Sequence, residues 1–176
     1  TTKTKATTEN DRSYPDFHDH LAALGEAGLL RVINAKVNKD TQLHPLVRWQ
    51  FRGGIAEPDR KAFLFTDVRD ANGRAFDFPV LVGGLAASAD IYSIGMGAPI
   101  PEIGVVWQRA MSLPIPPREV ESAPCQEVVL FGADLDGPGR GLDALPVPIS
   151  TPGYDAAPYL TATCCISADP ETGVQN

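Results

Sequence analysis

Apolar positions along this chain recur with two periods, and the period switches several times before residue 120. Phe17, Leu21 and Leu24 fall four and three apart. That spacing puts them on one helix face and predicts a helix over 16–27. Ser13 or Asp16 can cap it, and Gly28 can stop it. Residues 29–37 read as a strand, with Leu30, Val32 and Ala35 sharing a side only irregularly. A second helix is predicted over 43–52, opening near His44-Pro45 and closing at Gly53-Gly54. Residues 62–68 and 76–82 read as strands joined by the turn signal Asn72-Gly73. Gly83-Gly84 closes the second of them. Two further helices are predicted over 88–95 and 101–113, the latter with Ile103, Val106, Trp107, Ala110 and Met111 on one stripe. A core is expected from Leu21, Leu24, Leu30, Leu64, Val80, Val106 and Trp107 within 14–117.

The Pro114-Ile-Pro-Pro117 run ends the last helix, and the texture then changes. Residues 126–131 read as a short strand. Residues 134–145 are rich in Gly, Pro and Asp and read as loop. Leu145-Pro-Val-Pro-Ile149 must be extended, because alternating prolines exclude helix. A strand over 159–168 and a turn over 169–173 follow. The fold class expected is α+β: an amino-terminal α/β module over 14–117, a linker over 118–125, and the start of a β-rich domain over 126–176. Residues 1–13, Thr-rich and charged, are expected to be a disordered tail. The last stretch reads as a hairpin that stops at Asn176 before its return strand. Half a hairpin leaves backbone groups unpaired, so the chain reads as the front piece of something larger.

Composition narrows the function classes. With 15 basic and 22 acidic residues the net charge is -7, and no basic run exceeds Arg60-Lys61. Nucleic-acid binding by phosphate neutralisation is not expected. No apolar run approaches the roughly 20 residues that span a bilayer, and none resembles a secretion signal. The cysteines are Cys125, Cys164 and Cys165. An odd count with two adjacent makes a poor disulfide framework, and neighbours on a strand face opposite ways. They read as small buried apolar residues in a reducing, cytoplasmic compartment.

Familiar catalytic patterns are missing. His18 and His20 sit two apart on a helix and do not face each other, and the histidines read as surface residues. Gly83-Gly84 follows a strand and precedes a helix, which could bring amides to an anion, but a plain turn is the preferred reading. Gly95-Met-Gly97 has no strand before it, so it is not a dinucleotide fingerprint. Asp134, Asp136 and Asp143 do not have EF-hand spacing and read as a solvated acidic loop. Asn176 offers a neutral hard oxygen to a cation, though one Asn after a Gly turn is by itself unremarkable chemistry.

A set of segments nonetheless resembles a known pattern. These are Gly25-Glu-Ala-Gly-Leu-Leu-Arg-Val32, Ala62-Phe-Leu-Phe-Thr-Asp-Val68, Phe78-Pro-Val-Leu-Val-Gly-Gly84, Leu145-Pro-Val-Pro148, Tyr154-Asp-Ala-Ala-Pro-Tyr-Leu-Thr161 and Asp169-Pro-Glu-Thr-Gly-Val-Gln-Asn176. Together they resemble the amino-terminal part of the UbiD family of reversible decarboxylases. The resemblance runs from residue 16 to the end and is weakest over 86–121. The tail motif is its most specific piece. It implies a split β-barrel binding prenylated FMN with a divalent metal, commonly Mn²⁺, and K⁺. It implies a carboxy-lyase acting on small aromatic, heteroaromatic or α,β-unsaturated acids, with the flavin as electron sink. On this resemblance Asn176 is a metal ligand, and Thr161 and Thr163 run near the flavin or substrate.

The family's Arg, His and Glu residues that follow this Asn do not appear, nor does its carboxy-terminal oligomerisation domain. The expectation is an amino-terminal portion of such an enzyme, inactive alone, whose partner is the remainder of the enzyme or a companion chain. A homo-oligomer is implied for complete proteins. The alternative is a non-catalytic docking or assembly module with the same amino-terminal fold. An unrelated flavin-reductase-like barrel is disfavoured, since it would lead with barrel strands.

Overall fold

The computed structural model describes residues 16–116, 120–123, 126–163 and 165–175. The expected tail over 1–13, Cys125, Cys164 and Asn176 lie outside the described residues. In chain order the elements are α1 (Phe17–Glu26), β1 (Leu30–Ile33), β2 (Val37–Asn38), α2 (Leu43–Arg52), β3 (Ala62–Phe65), β4 (Val68–Arg69), β5 (Ala75–Phe76), β6 (Val80–Val82), α3 (Ala89–Met96) and α4 (Ile103–Ser112). The architecture is mixed α+β, with one three-stranded sheet ordered β1-β3-β6 and another ordered β2-β4-β5.

The expected strands break where their partners change. The run 62–68 divides at Thr66-Asp67 into β3 and β4, which belong to different sheets. Between them the Thr66 hydroxyl donates to Asn34 Oδ1 at 2.8 Å. The run 29–37 divides likewise into β1 and β2. β2 pairs parallel with β4, Val37 opposite Val68. β4 pairs antiparallel with β5, Val68 opposite Phe76. The Asn72-Gly73 signal therefore does make a hairpin, with Gly73 at φ 86°. Asp70 locks it by accepting from Asn72 N–H and Arg74 N–H, each at 2.9 Å. Only β5 returns along it; β6 crosses to the other sheet.

Two compact units form. One comprises the described part of the segment ending at Arg31, with Ile55–Phe63 and Gly83–Pro116. Here Asp16 caps α1 by accepting from His18 and Asp19 N–H, and the Asp19 carboxylate accepts from Asp16 N–H, a closed capping box. Ser88 caps α3 through Ile91 N–H, and the Glu57 carboxylate accepts from Ala89 N–H. Gly97, left-handed at φ 61°, ends α3. Gly95-Met-Gly97 is thus a helix terminus. Leu24, Leu29, Ala62, Ala87 and Ile91 are buried. The expected core is corrected: of its seven residues Leu24 is buried, Leu21, Leu30, Leu64, Val80 and Val106 are half-buried, and Trp107 is 48% exposed. Its indole N–H instead donates to Tyr92 Oη at 2.7 Å.

The other unit comprises Val32–Gly54, Leu64–Val82 and the described residues after Pro117. Its core is Val37, Leu43, Val47, Phe65, Val68 and Phe76. α2 turns Leu43, Val47 and Gln50 inward, four and three apart. It ends at Gly53, where a Cβ would meet the Trp49 carbonyl at 2.6 Å.

The carboxy-terminal strands are corrected. Residues 126–131 are not a strand, and along 159–168 the described residues are exposed and carry no ladder. The one pairing there is an antiparallel bridge between Ala168 and Gln175. A strand is stabilised by its neighbour, and among the described residues no strand lies beside this segment.

Candidate functional site

The tail motif folds as a closed turn. Asp169 Oδ1 accepts from Thr172 N–H at 2.7 Å, Glu171 N–H at 2.9 Å and the Thr172 hydroxyl at 3.0 Å. Gly173 N–H donates to the Asp169 carbonyl and Asp169 N–H to the Val174 carbonyl, each at 2.9 Å. Gly173 takes φ 71°, a conformation suited to glycine. The Thr172 donors first, then Glu171 N–H, hold the Asp169 carboxyl below its usual value. Each residue of Asp-x-Glu-Thr-Gly thereby has a local role, and Gln175 is returned beside Ala168. Thr161 and Thr163 lie exposed on the approach, with Thr163 Oγ1 3.7 Å from Cys165 Sγ. Asn176 lies outside the described residues. Cys165 is exposed rather than buried, which corrects the expectation for it.

Upstream, residues 139–151 form a strap held by cations that sequence reasoning missed. Arg74 donates to both oxygens of Asp143, at 2.8 and 3.1 Å, and to the Asp143 carbonyl at 2.9 Å. Gly139 N–H donates to the same carboxylate at 2.6 Å. Arg74, then Gly139 N–H, lowers the Asp143 pKa to about 2. Asp143 is exposed, as expected of a solvated acidic loop, yet its carboxylate is engaged. Lys39 is 6% exposed; its ammonium donates to Asp40 Oδ1 at 2.6 Å and to the Val147 carbonyl at 3.0 Å. Arg48 reaches the Thr151 hydroxyl at 3.1 Å and the Ser150 carbonyl at 3.4 Å. Lys39 and Arg74 stack near the Phe76 ring, 5.9 and 4.7 Å from its centroid. Their only sequence signal was adjacency to turns: Lys39 follows β2, and Arg74 follows Asn72-Gly73.

Between the strap and residues 158–160 lies a cleft of about 480 Å³, walled by Leu142, Leu145, Val147, Pro158, Tyr159 and Leu160, with Lys39 and Asp143 at its margin. Tyr159 N–H donates to the Pro148 carbonyl at 3.3 Å across it. The histidines divide. The His18 side chain is 89% exposed, as expected. His20 is half-buried, its Nε2 2.6 Å from the Gly84 carbonyl. That corrects its reading as a surface residue and makes Gly83-Gly84 a structural turn. His44 is half-buried as well. Among the described residues no three His, Cys, Asp or Glu side chains converge as a metal centre.

Residues 118–176 match the family model UbiD, 3-octaprenyl-4-hydroxybenzoate carboxy-lyase Rift-related domain. Two solved structures resemble the chain over 90% of its length. The UbiD-class enzyme HmfF from Pelotomaculum thermopropionicum, in complex with FMN, is 28% identical with a TM-score of 0.69. The match covers 90% of this chain and 32% of that one. An evolved dimeric form of the same enzyme, in complex with prFMN, is 27% identical with a TM-score of 0.72, covering 90% and 33%. In its carboxy-terminal third the chain matches the UbiD family model, and over most of its length its fold is similar to that of UbiD-class enzymes. It spans about a third of the length of these solved chains. No helix among the described residues is long and apolar enough to cross a membrane.

Proposed function

We propose that this chain supplies part of a UbiD-like carboxy-lyase that reversibly decarboxylates aromatic, heteroaromatic or α,β-unsaturated acids with prenylated FMN. The observation that carries the reading is the closed Asp169 turn inside the matched 118–176 segment. Residues 126–176 begin the split β-barrel flavin domain, and 118–125 connect it to the amino-terminal domain. Thr161 and Thr163 offer hydroxyls toward flavin or substrate, and Asn176 offers its amide oxygen to Mn²⁺, with K⁺ as a second cation. Bound, the flavin supplies the electron sink for decarboxylation.

The donor set does not reach a complete site. One neutral amide oxygen and two hydroxyls do not hold a divalent cation and a phosphate; stable sites need several ligands and a supporting shell. The 176-residue chain is inactive alone and works with the remainder of the enzyme or a companion chain, in a homo-oligomer in the cytoplasm. A docking or assembly role is the second reading, and the exposed Val128, Val129, Leu130 and Phe131 favour it. The test is reconstitution with prenylated FMN, Mn²⁺ and K⁺, followed by gel filtration and a CO₂-release assay on a panel of unsaturated acids. The chain alone is expected to retain no stoichiometric flavin; retention with turnover would sink the claim.

A further inference from the structure

We propose that Lys39, Arg48 and Arg74 form a three-point clasp that positions the segment approaching Thr161. The positional part goes beyond the reading above; its consequence for flavin rests on that reading. The strap over 139–151 contains one 3₁₀ turn, Gly141–Ala144, and no strand. Apart from the Tyr159 N–H bond to the Pro148 carbonyl, its backbone bonds among the described residues are short-range: Asp143 N–H to the Arg140 carbonyl, Leu145 N–H to Leu142, Val147 N–H to Leu145. Such bonds shape a loop locally but do not fix its course across a surface. The course is set by side chains that meet it at residues 143, 147 and 150–151.

The three anchors differ in kind. Arg74 makes a forked contact with a carboxylate, which fixes direction as well as distance. Lys39 is a buried ammonium. A buried charge needs its full set of acceptors, so removing the Val147 carbonyl would leave Lys39 with Asp40 alone. Docking of the strap is therefore coupled to the folding of the β2-β4-β5 sheet beneath it. Arg48 comes from the exposed side of α2 and holds the strap's far end. From there the Tyr159–Pro148 bond carries position into residues 158–160, immediately before Thr161. The clasp thus sets the width of the 480 Å³ cleft.

Hydrogen exchange on the 176-residue chain tests this. Arg74→Met should speed exchange about five- to tenfold at the amides of Asp143, Leu145, Val147 and Tyr159. The sheet amides of Val37 and Lys39, which donate to Asp67 and Arg69, should change less than about twofold. Lys39→Met should loosen Val147 and Tyr159 in the same selective way. Arg74→Lys, which keeps a cation between Asp70 and Asp143, should recover part of the protection that Arg74→Met loses. Unchanged exchange in both Met variants overturns the clasp. So does a uniform rise that includes the sheet amides and is not reduced in Arg74→Lys. In the flavin-loaded assembly, Arg74→Met should weaken flavin retention several-fold, and unaltered retention overturns the functional consequence. An assembly that binds no flavin as wild type refutes the function proposed above, while the exchange result still decides the clasp.

Discussion

Leu43 and Leu46 lie three apart on α2, yet the structure assigns them opposite surroundings: Leu43 is 0% exposed and Leu46 is 51% exposed. The same substitution at both sites isolates burial, because the change in helix propensity is shared and small. Truncating Leu43 to Ala removes three carbons from the core, about 2.4 kcal/mol at about 0.8 kcal/mol each. The cavity left against its neighbours raises the cost to about 3–4 kcal/mol, within the range of about 2.7–5 kcal/mol for buried leucines. Leu46→Ala gives up about half the transfer free energy and encloses no cavity, so about 1 kcal/mol is expected. The two variants should differ by about 2–3 kcal/mol in urea denaturation followed by far-UV circular dichroism, with equal m-values. The corresponding gap in Tm is roughly 4–12 °C for a chain of this size. Two variants within about 0.5 kcal/mol of each other would mean that α2 does not turn this face inward, and the reasoning would fail.

Burial first, and the Arg48 guanidinium second, hold the His44 imidazole below its usual value near 6.5, with Asp155 pulling the other way. The unfolded chain therefore binds that proton more readily, so the His44 contribution is full above about pH 6.5 and is lost as pH falls through the lowered value. Urea midpoints between about pH 8 and 5 should fall less steeply in His44→Gln; an identical slope in the variant rejects the assignment. Asp169 also has a depressed pKa, so its turn should hold at neutral pH and loosen only in acid, as pH falls from about 4 through the lowered value. At neutral pH Asp169→Ala should leave the Thr172 amide, which donates to that carboxylate, unprotected by NMR exchange while Asp169→Asn keeps an acceptor and most protection; full protection in the Ala variant refutes the turn's dependence on that side chain.

Helices were legible where a cap, a stripe and a stop coincide. Asp16, Leu24 and Gly28 place α1 within a residue of its observed ends, and Leu43, Val47 and Gly53 do the same for α2. Strands were legible as runs but not as pairings. Nothing in 62–68 marks Thr66-Asp67 as the point where the partner changes, because that is decided by which neighbours lie on either side. Core membership failed for a related reason. Trp107 and Met111 lie on a helical stripe, but a stripe reports which face is apolar and not whether anything covers it; Met111 is 77% exposed. The site divides in the same way. The Asp169 turn was readable because its bonds are local. The cations were not: Arg74 and Asp143 are far apart in sequence, and only the fold shows that they meet.

This contrast explains why the tail motif is the most recognisable piece of the matched segment. Along residues 159–175 the strand portion has no neighbour among the described residues, and it is exposed and irregular. The turn within it is nevertheless fully formed, with six hydrogen bonds, none reaching more than five positions along the chain. A segment that closes on itself keeps its shape whether or not its sheet is assembled. A strand does not, since its backbone donors are satisfied from outside. The strap is intermediate: it makes no ladder, but Arg74, Lys39 and Arg48 tie it to a folded sheet and helix. The approach to Thr161 is therefore fixed from upstream by charge and from downstream by a self-contained turn, and the stretch between them, 161–168, is where sheet partners have the most to add.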